Sequence, residues 1–150
     1  MKGRWWLALG LCWLACAAPP ADVLVFGRGS DSVGLDPALE NDGESFKVCD
    51  NLYETLVTYE EQSTAIRPLL ARSWEVSEDR LVWAFHLRTD VLFHDGTSFD
   101  APAMLFSLGR QFFADHPFHQ VQGAFKYWKD MGMEEVIAGM EAPDDSTFII

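Results

Sequence analysis

The run from Leu69 to Arg110, LLARSWEVSEDRLVWAFHLRTDVLFHDGTSFDAPAMLFSLGR, constrains the fold most. Trp74 and Val76 alternate with polar neighbours, and Leu81, Trp83, Phe85 and Leu87 recur at every second residue. That period places one face of each strand against a core. Ser77-Glu78-Asp79-Arg80 lies between the strands as a turn, and Asp95-Gly96 breaks the chain again. Asp100 stands as an N-cap two residues before Pro102, opening a helix that runs to Gln111. A hairpin followed by a capped helix defines a mixed α+β unit.

Upstream, Asp22 to Gly27 reads as a buried first strand, and Arg28 to Pro37 as a loop rich in Gly, Ser and Asp. Asn41 to Tyr59 reads as a helix running into a short extended piece, with Asp42 or Ser45 as its cap. Phe46, Leu52 and Leu56 recur near helical spacing, which makes Cys49 among them a core residue.

The first twenty-one residues have the layout of an export signal. Lys2 and Arg4 precede an apolar run from Trp5 to Ala15, and small residues follow at Ala15, Ala17 and Ala18. The run is shorter than the ~20 residues a membrane-spanning helix needs. Cleavage after Ala17 fits the small-x-small rule, with an uncleaved anchor as the alternative. Cys16 is a candidate lipidation site, although Trp13 and Leu14 fit a lipobox poorly, and a soluble exported protein is favoured. Beyond the leader only Cys49 remains, so no disulfide framework supports the fold.

The formal charge is -12, and removing Lys2 and Arg4 takes it to -14. A chain this acidic, with no basic stripe, argues against nucleic acid or anionic lipid as a partner. The about 130 residues after the leader are enough for one ordinary domain.

No catalytic constellation stands out. The sequence contains no GxSxG, no P-loop and no GxGxxG. His116 and His119 are three residues apart, a metal-compatible spacing on a helix, but Pro117 between them argues for a loop. His86 falls on the polar side of its strand. His94-Asp95 resembles the HD dyad of metal phosphohydrolases without its further ligands. An exported metal-dependent hydrolase using His94, Asp95, His116 and His119 is the rival from another class. Trp74, Trp83, Phe85 and Phe93 sit at strand-core spacing, whereas Phe112-Phe113 and Phe125, Tyr127 and Trp128 are irregular enough to line a surface or interlobe contact.

The long run also resembles a family signature. Trp74-Glu75-Val76-Ser77-Glu78-Asp79, Phe85-His86-Leu87-Arg88, Phe93-His94-Asp95-Gly96 and Phe106-Ser107-Leu108 with Arg110 match, in one register, the pattern of extracytoplasmic solute-binding proteins of peptide ABC transporters. Arg80 departs from it, standing where the pattern has a turn glycine, as do Thr89-Asp90 and Pro102-Ala103. Asn51-Leu52-Tyr53-Glu54-Thr55-Leu56 matches as well. His116-Pro117-Phe118-His119, Tyr127 and Met131-Gly132-Met133 resemble the dipeptide-binding branch, which also holds haem and glutathione binders.

The resemblance implies an α/β fold (mixed α+β) like the type II periplasmic binding proteins. Residues 22–40 would be the first strand and cleft loop of lobe I, and 41–150 a peripheral subdomain beginning its return to that lobe. Glu134 to Glu141 and Thr147 to Ile150 would be strands turning at Pro143-Asp144-Asp145. The chain would be the N-terminal part of a longer protein, its second lobe absent. Gly29, Ser30, Asp31 and Ser32 would contact ligand; the alternative is a surface loop whose Asp and Ser bond their own backbone. The implied role is a monomeric periplasmic component of an ABC importer, capturing short peptides, dipeptides first, for a membrane permease, with no cofactor or metal. Haem, glutathione or nickel are other ligands of the same fold. The residues pairing with peptide ends are expected beyond position 150.

Overall fold

A computed structural model describes residues 22–119 and 125–150, so the leader and Cys16 lie outside the described residues. Asp42, in extended conformation, accepts the amides of Glu44 at 3.1 Å and Ser45 at 2.9 Å and starts helix α1 (Gly43–Leu52). Asp42 is therefore the cap. Ser45 is fully buried, and its hydroxyl instead accepts the Val33 amide at 3.1 Å. Strands β1 (Val57–Tyr59) and β2 (Ile66–Pro68) follow as a small antiparallel pair.

The expected hairpin is β3 (Ala71–Val76) and β4 (Trp83–Leu87), in register Trp74 to Phe85 and Val76 to Trp83. Its burial is graded, which corrects the even core face expected from alternation. Leu87 is fully buried, Phe85 half-buried and Trp83 40% exposed, while Leu81 is 77% exposed. Leu81 belongs to the connection, because the Ser77 amide bonds the Val82 carbonyl at 3.0 Å and closes the loop around it. Arg80 occupies that loop at φ +62°, the left-handed conformation a glycine would supply. A second tight turn falls at Asp95-Gly96, where Gly96 has φ +86°. Asp95 Oδ1 there accepts the Thr97 amide at 2.9 Å and hydroxyl at 2.7 Å.

Asp100 caps helix α2 (Ala101–Phe112), accepting the Ala103 amide at 2.8 Å. Short helices α3 (Lys126–Asp130) and α4 (Met133–Val136) come next, then β5 (Glu141–Asp144) and β6 (Thr147–Ile149). The expected strand from Glu134 to Glu141 is thus a helical turn and a connector. Gly132, at φ +66°, reverses the chain, and Glu134 and Glu135 favour the helix start that follows. The strand begins at Glu141 and includes Pro143, tolerated because β5 is an edge strand. The turn accordingly shifts to Asp145-Ser146, with Asp144 Oδ1 accepting the Ser146 amide at 2.7 Å.

These strands form one antiparallel sheet in the order β3-β4-β6-β5. Leu70, Ala71, Leu87, Phe99, Ala101 and Phe148 make the core, against Met104, Leu105 and Leu108 of α2. The helix covers that end of the sheet, which explains why the hairpin tip stays wet. The segment 22–27 is a second correction. It pairs with no strand among the described residues, and Leu24 is 91% and Phe26 75% exposed. A strand needs a neighbour for its amides and carbonyls, and no described segment supplies one.

Candidate ligand loop and its anchors

The loop from Arg28 to Glu40 has no regular structure of its own beyond turns, and its shape comes from what holds it. Asp36 organises the second half. Its carbonyl accepts the amides of Leu39 at 2.9 Å and Glu40 at 3.2 Å, and its Oδ1 accepts the Ala38 amide at 3.1 Å. The same carboxylate receives both ends of the Arg110 guanidinium, Nη1 to Oδ2 at 2.6 Å and Nη2 to Oδ1 at 2.5 Å. This two-pronged geometry gives direction as well as attraction. The hydrogen bonds from Arg110 hold the Asp36 carboxyl below the usual carboxylate range, against the opposing effect of burial.

Helix α1 holds the loop from the other side. The Tyr53 hydroxyl donates to the Leu35 carbonyl at 3.0 Å, beside the Val33 to Ser45 bond already described. Arg28 bonds Asp31 at 2.7 Å, and Asp31 Oδ1 also accepts the Ser32 amide at 3.0 Å. Gly29, Ser30 and Asp31 are exposed and Ser32 half-buried, so the four expected contact residues form one surface turn. Asp31 does bond local backbone, as the alternative reading of the loop required; Ser30 and Asp31 remain open to solvent.

Between α1 and α2 lies a groove of about 1040 Å³, walled by Leu35, Phe46, Tyr53, Phe93 and Leu108 with Asp36 and Arg110. Cys49, 3% exposed, also borders it, and burial followed by the nearby acids Glu40, Asp50 and Asp36 pushes its thiol pKa up. It is a packing residue.

Three of the four histidines, His86, His116 and His119, have structural partners, while His94 lies exposed in the turn beside Asp95. His116 and His119 lie in a turn-rich loop after α2, as Pro117 suggested. His116 Nδ1 accepts the Phe118 amide at 3.2 Å, and its ring packs edge-on to Phe106 with centroids 4.7 Å apart. His119 Nδ1 meets the Arg110 carbonyl at 3.0 Å. His86 faces Glu75 across the hairpin at 3.4 Å, and Asp95 is occupied in its own turn. Among the described residues no three His, Cys, Asp or Glu side chains group as metal ligands. Phe125 and Trp128, expected at a surface or lobe contact, are buried at 0% and 8% exposure, while Tyr127 stays half exposed against Phe46.

Sequence reasoning missed Asp36 and saw Arg110 only as a signature match. A usable signal existed: Arg110 is the lone charge in the helix APAMLFSLGRQF, and such a residue needs a partner.

Comparison with known proteins agrees with this architecture. Residues 65–150 match the family described as Bacterial extracellular solute-binding proteins, family 5 Middle. The chain belongs to that family. The Dipeptide-binding protein of Escherichia coli is 34% identical, over 98% of this chain and 30% of its own length. Heme-binding protein A of Haemophilus influenzae is 36% identical, over 86% of this chain and 25% of its own. Among solved structures, the ABC transporter-associated periplasmic binding protein DppA from Helicobacter pylori, in complex with peptide STSA, superposes with a TM-score of 0.71. It is 39% identical, over 81% of this chain and 25% of that one. The chain therefore spans between a quarter and a third of the length of these relatives.

Proposed function

We propose that the chain is the N-terminal portion of the substrate-binding component of an ABC importer. It captures short peptides, dipeptides first, outside the cytoplasmic membrane and delivers them to a membrane permease. The observation that carries this reading is the alignment with the Dipeptide-binding protein along nearly the whole chain. Residues 1–21 serve as the export signal, Cys16 is not acylated, and the protein works as a periplasmic monomer. Residues 22–40 belong to the ligand-binding lobe and 41–150 to a peripheral subdomain.

The role is capture, not catalysis. Gly29 to Ser32 offers backbone groups, two hydroxyls and the Asp31 carboxylate on one exposed turn, chemistry that suits an extended zwitterionic peptide. Closure of a second lobe over that turn would bury the ligand as a population shift.

The test is calorimetry with the complete gene product and a panel of dipeptides. Saturable binding supports the reading, and its absence across the panel refutes it. Residues 22–150 alone should bind no dipeptide measurably. A second reading, haem as ligand, is favoured by the similarity to Heme-binding protein A. A Soret titration separates the two: a stoichiometric shift with no dipeptide response selects haem.

A further inference from the structure

The candidate ligand turn does not hold itself in place, because the bonds within it, Arg28 to Asp31 and the Ser32 amide to Asp31, are local. Its fixed points are contributed by two helices. From α1 come single bonds: the Glu44 carbonyl accepts from Arg28 Nη1 at 3.5 Å, Ser45 Oγ accepts the Val33 amide, and the Tyr53 hydroxyl donates to the Leu35 carbonyl. From α2 comes the Arg110 fork on Asp36, the one contact among these that uses two charge-assisted bonds.

Arg110 is itself clamped. Its side chain is only 20% exposed, its guanidinium lies over the Phe125 ring at 5.9 Å, and its carbonyl meets His119. Its helix is pinned to the sheet through Met104, Leu105 and Leu108. A rigid path thus runs from the core of the sheet through α2 to Asp36 and into the loop.

We propose that Arg110 is a positioning residue for ligand capture, holding the Gly29–Ser32 turn in its binding shape through Asp36. The inference rests on the reading of that turn as a ligand contact. Without the fork, the loop samples other shapes, and apparent affinity falls in proportion to the fraction that stays competent.

The experiment uses the complete gene product and compares R110Q, R110K and D36N with wild type. Dipeptide Kd is read by calorimetry and amide exchange by mass spectrometry. R110Q should raise Kd on the order of tenfold, as for a loop competent a tenth of the time. Exchange at Val33 and Leu39 should quicken while Leu87 in the sheet core keeps its protection. R110K, which restores the charge and one bond, should recover part of both effects; a merely structural role would instead lower protection at Leu87 in the sheet core along with affinity. Should R110Q fail to fold, D36N carries the same test from the loop side. Wild-type binding with unchanged Kd in the variants overturns the inference alone. Wild type that binds no dipeptide refutes the functional reading, and the inference falls with it.

Discussion

The Glu40 carboxylate lies directly over Gly34: a Cβ built on residue 34 would stand 1.9 Å from Glu40 Oε1. Glu40 is 9% exposed, so the loop folds back on itself here with a buried acid as its lid. Gly34→Ala should push that carboxylate outward at a cost of about 1 kcal/mol, the low end for overpacking because a flexible side chain can yield. Combining it with Glu40→Ala should remove most of the penalty. A double-mutant cycle on thermal unfolding measures the coupling, and additive effects would show that the contact does not matter.

Arg80 holds a left-handed backbone at φ +62° in the connection between β3 and β4. Its carbonyl also receives the Trp83 indole at 3.2 Å, a bond any residue at 80 can make. Arg80→Gly should therefore stabilise the protein by about 0.5–1 kcal/mol, relief of Cβ strain outweighing the added freedom of the unfolded chain. A rise in Tm checks it, and a fall would mean that the Arg side chain itself supports the hairpin.

Asp36 has its pKa lowered by the Arg110 hydrogen bonds. A depressed folded value means that its contribution to stability is complete above the unfolded pKa, about 3.9. It is lost as pH falls below that value and through the folded one. Acid unfolding followed by circular dichroism should show this loss below about pH 4, and Asp36→Asn should be less stable at neutral pH with a shallower acid limb. Parallel acid limbs in the two proteins would remove Asp36 as a contributor.

Cys49 is buried and its thiol pKa is raised, so little thiolate forms near neutral pH. A disulfide reagent at pH 7 should leave it unmodified in the native protein and label it promptly in denaturant, as read by peptide mapping. Rapid native labelling would place Cys49 in a region that opens easily.

The elements legible in the sequence were those with local causes. Asp42, one of two candidate caps with Ser45, and Asp100 announced helices α1 and α2 because a cap is a short-range bond, and Asp95-Gly96 announced its turn because only a few residues accept that backbone. Alternation at Leu81, Trp83, Phe85 and Leu87 gave the strand but not its burial, which depends on how far α2 reaches over the sheet. The apolar run Val23 to Phe26 looked buried because its composition demands a partner, yet the described residues contain none. The helical turn at Met133–Val136 was hidden by apolar residues that suit either period. In the candidate site, the polar turn at Gly29 to Ser32 was visible as composition. The Arg110 to Asp36 bond was not, since it joins residues 74 positions apart and no local pattern encodes it.

That separation also orders events in time. Long-range closures are made after local ones, because the entropy of the intervening chain must be surrendered first. The hairpin and the capped α2 can form while the loop ahead of them is still unshaped, and Asp36 finds its arginine only when the chain between has condensed. Weakening the fork would then leave the folding rate nearly untouched and let the native protein come apart faster. The Asp36 anchor behind the candidate ligand turn is thus set late and released early.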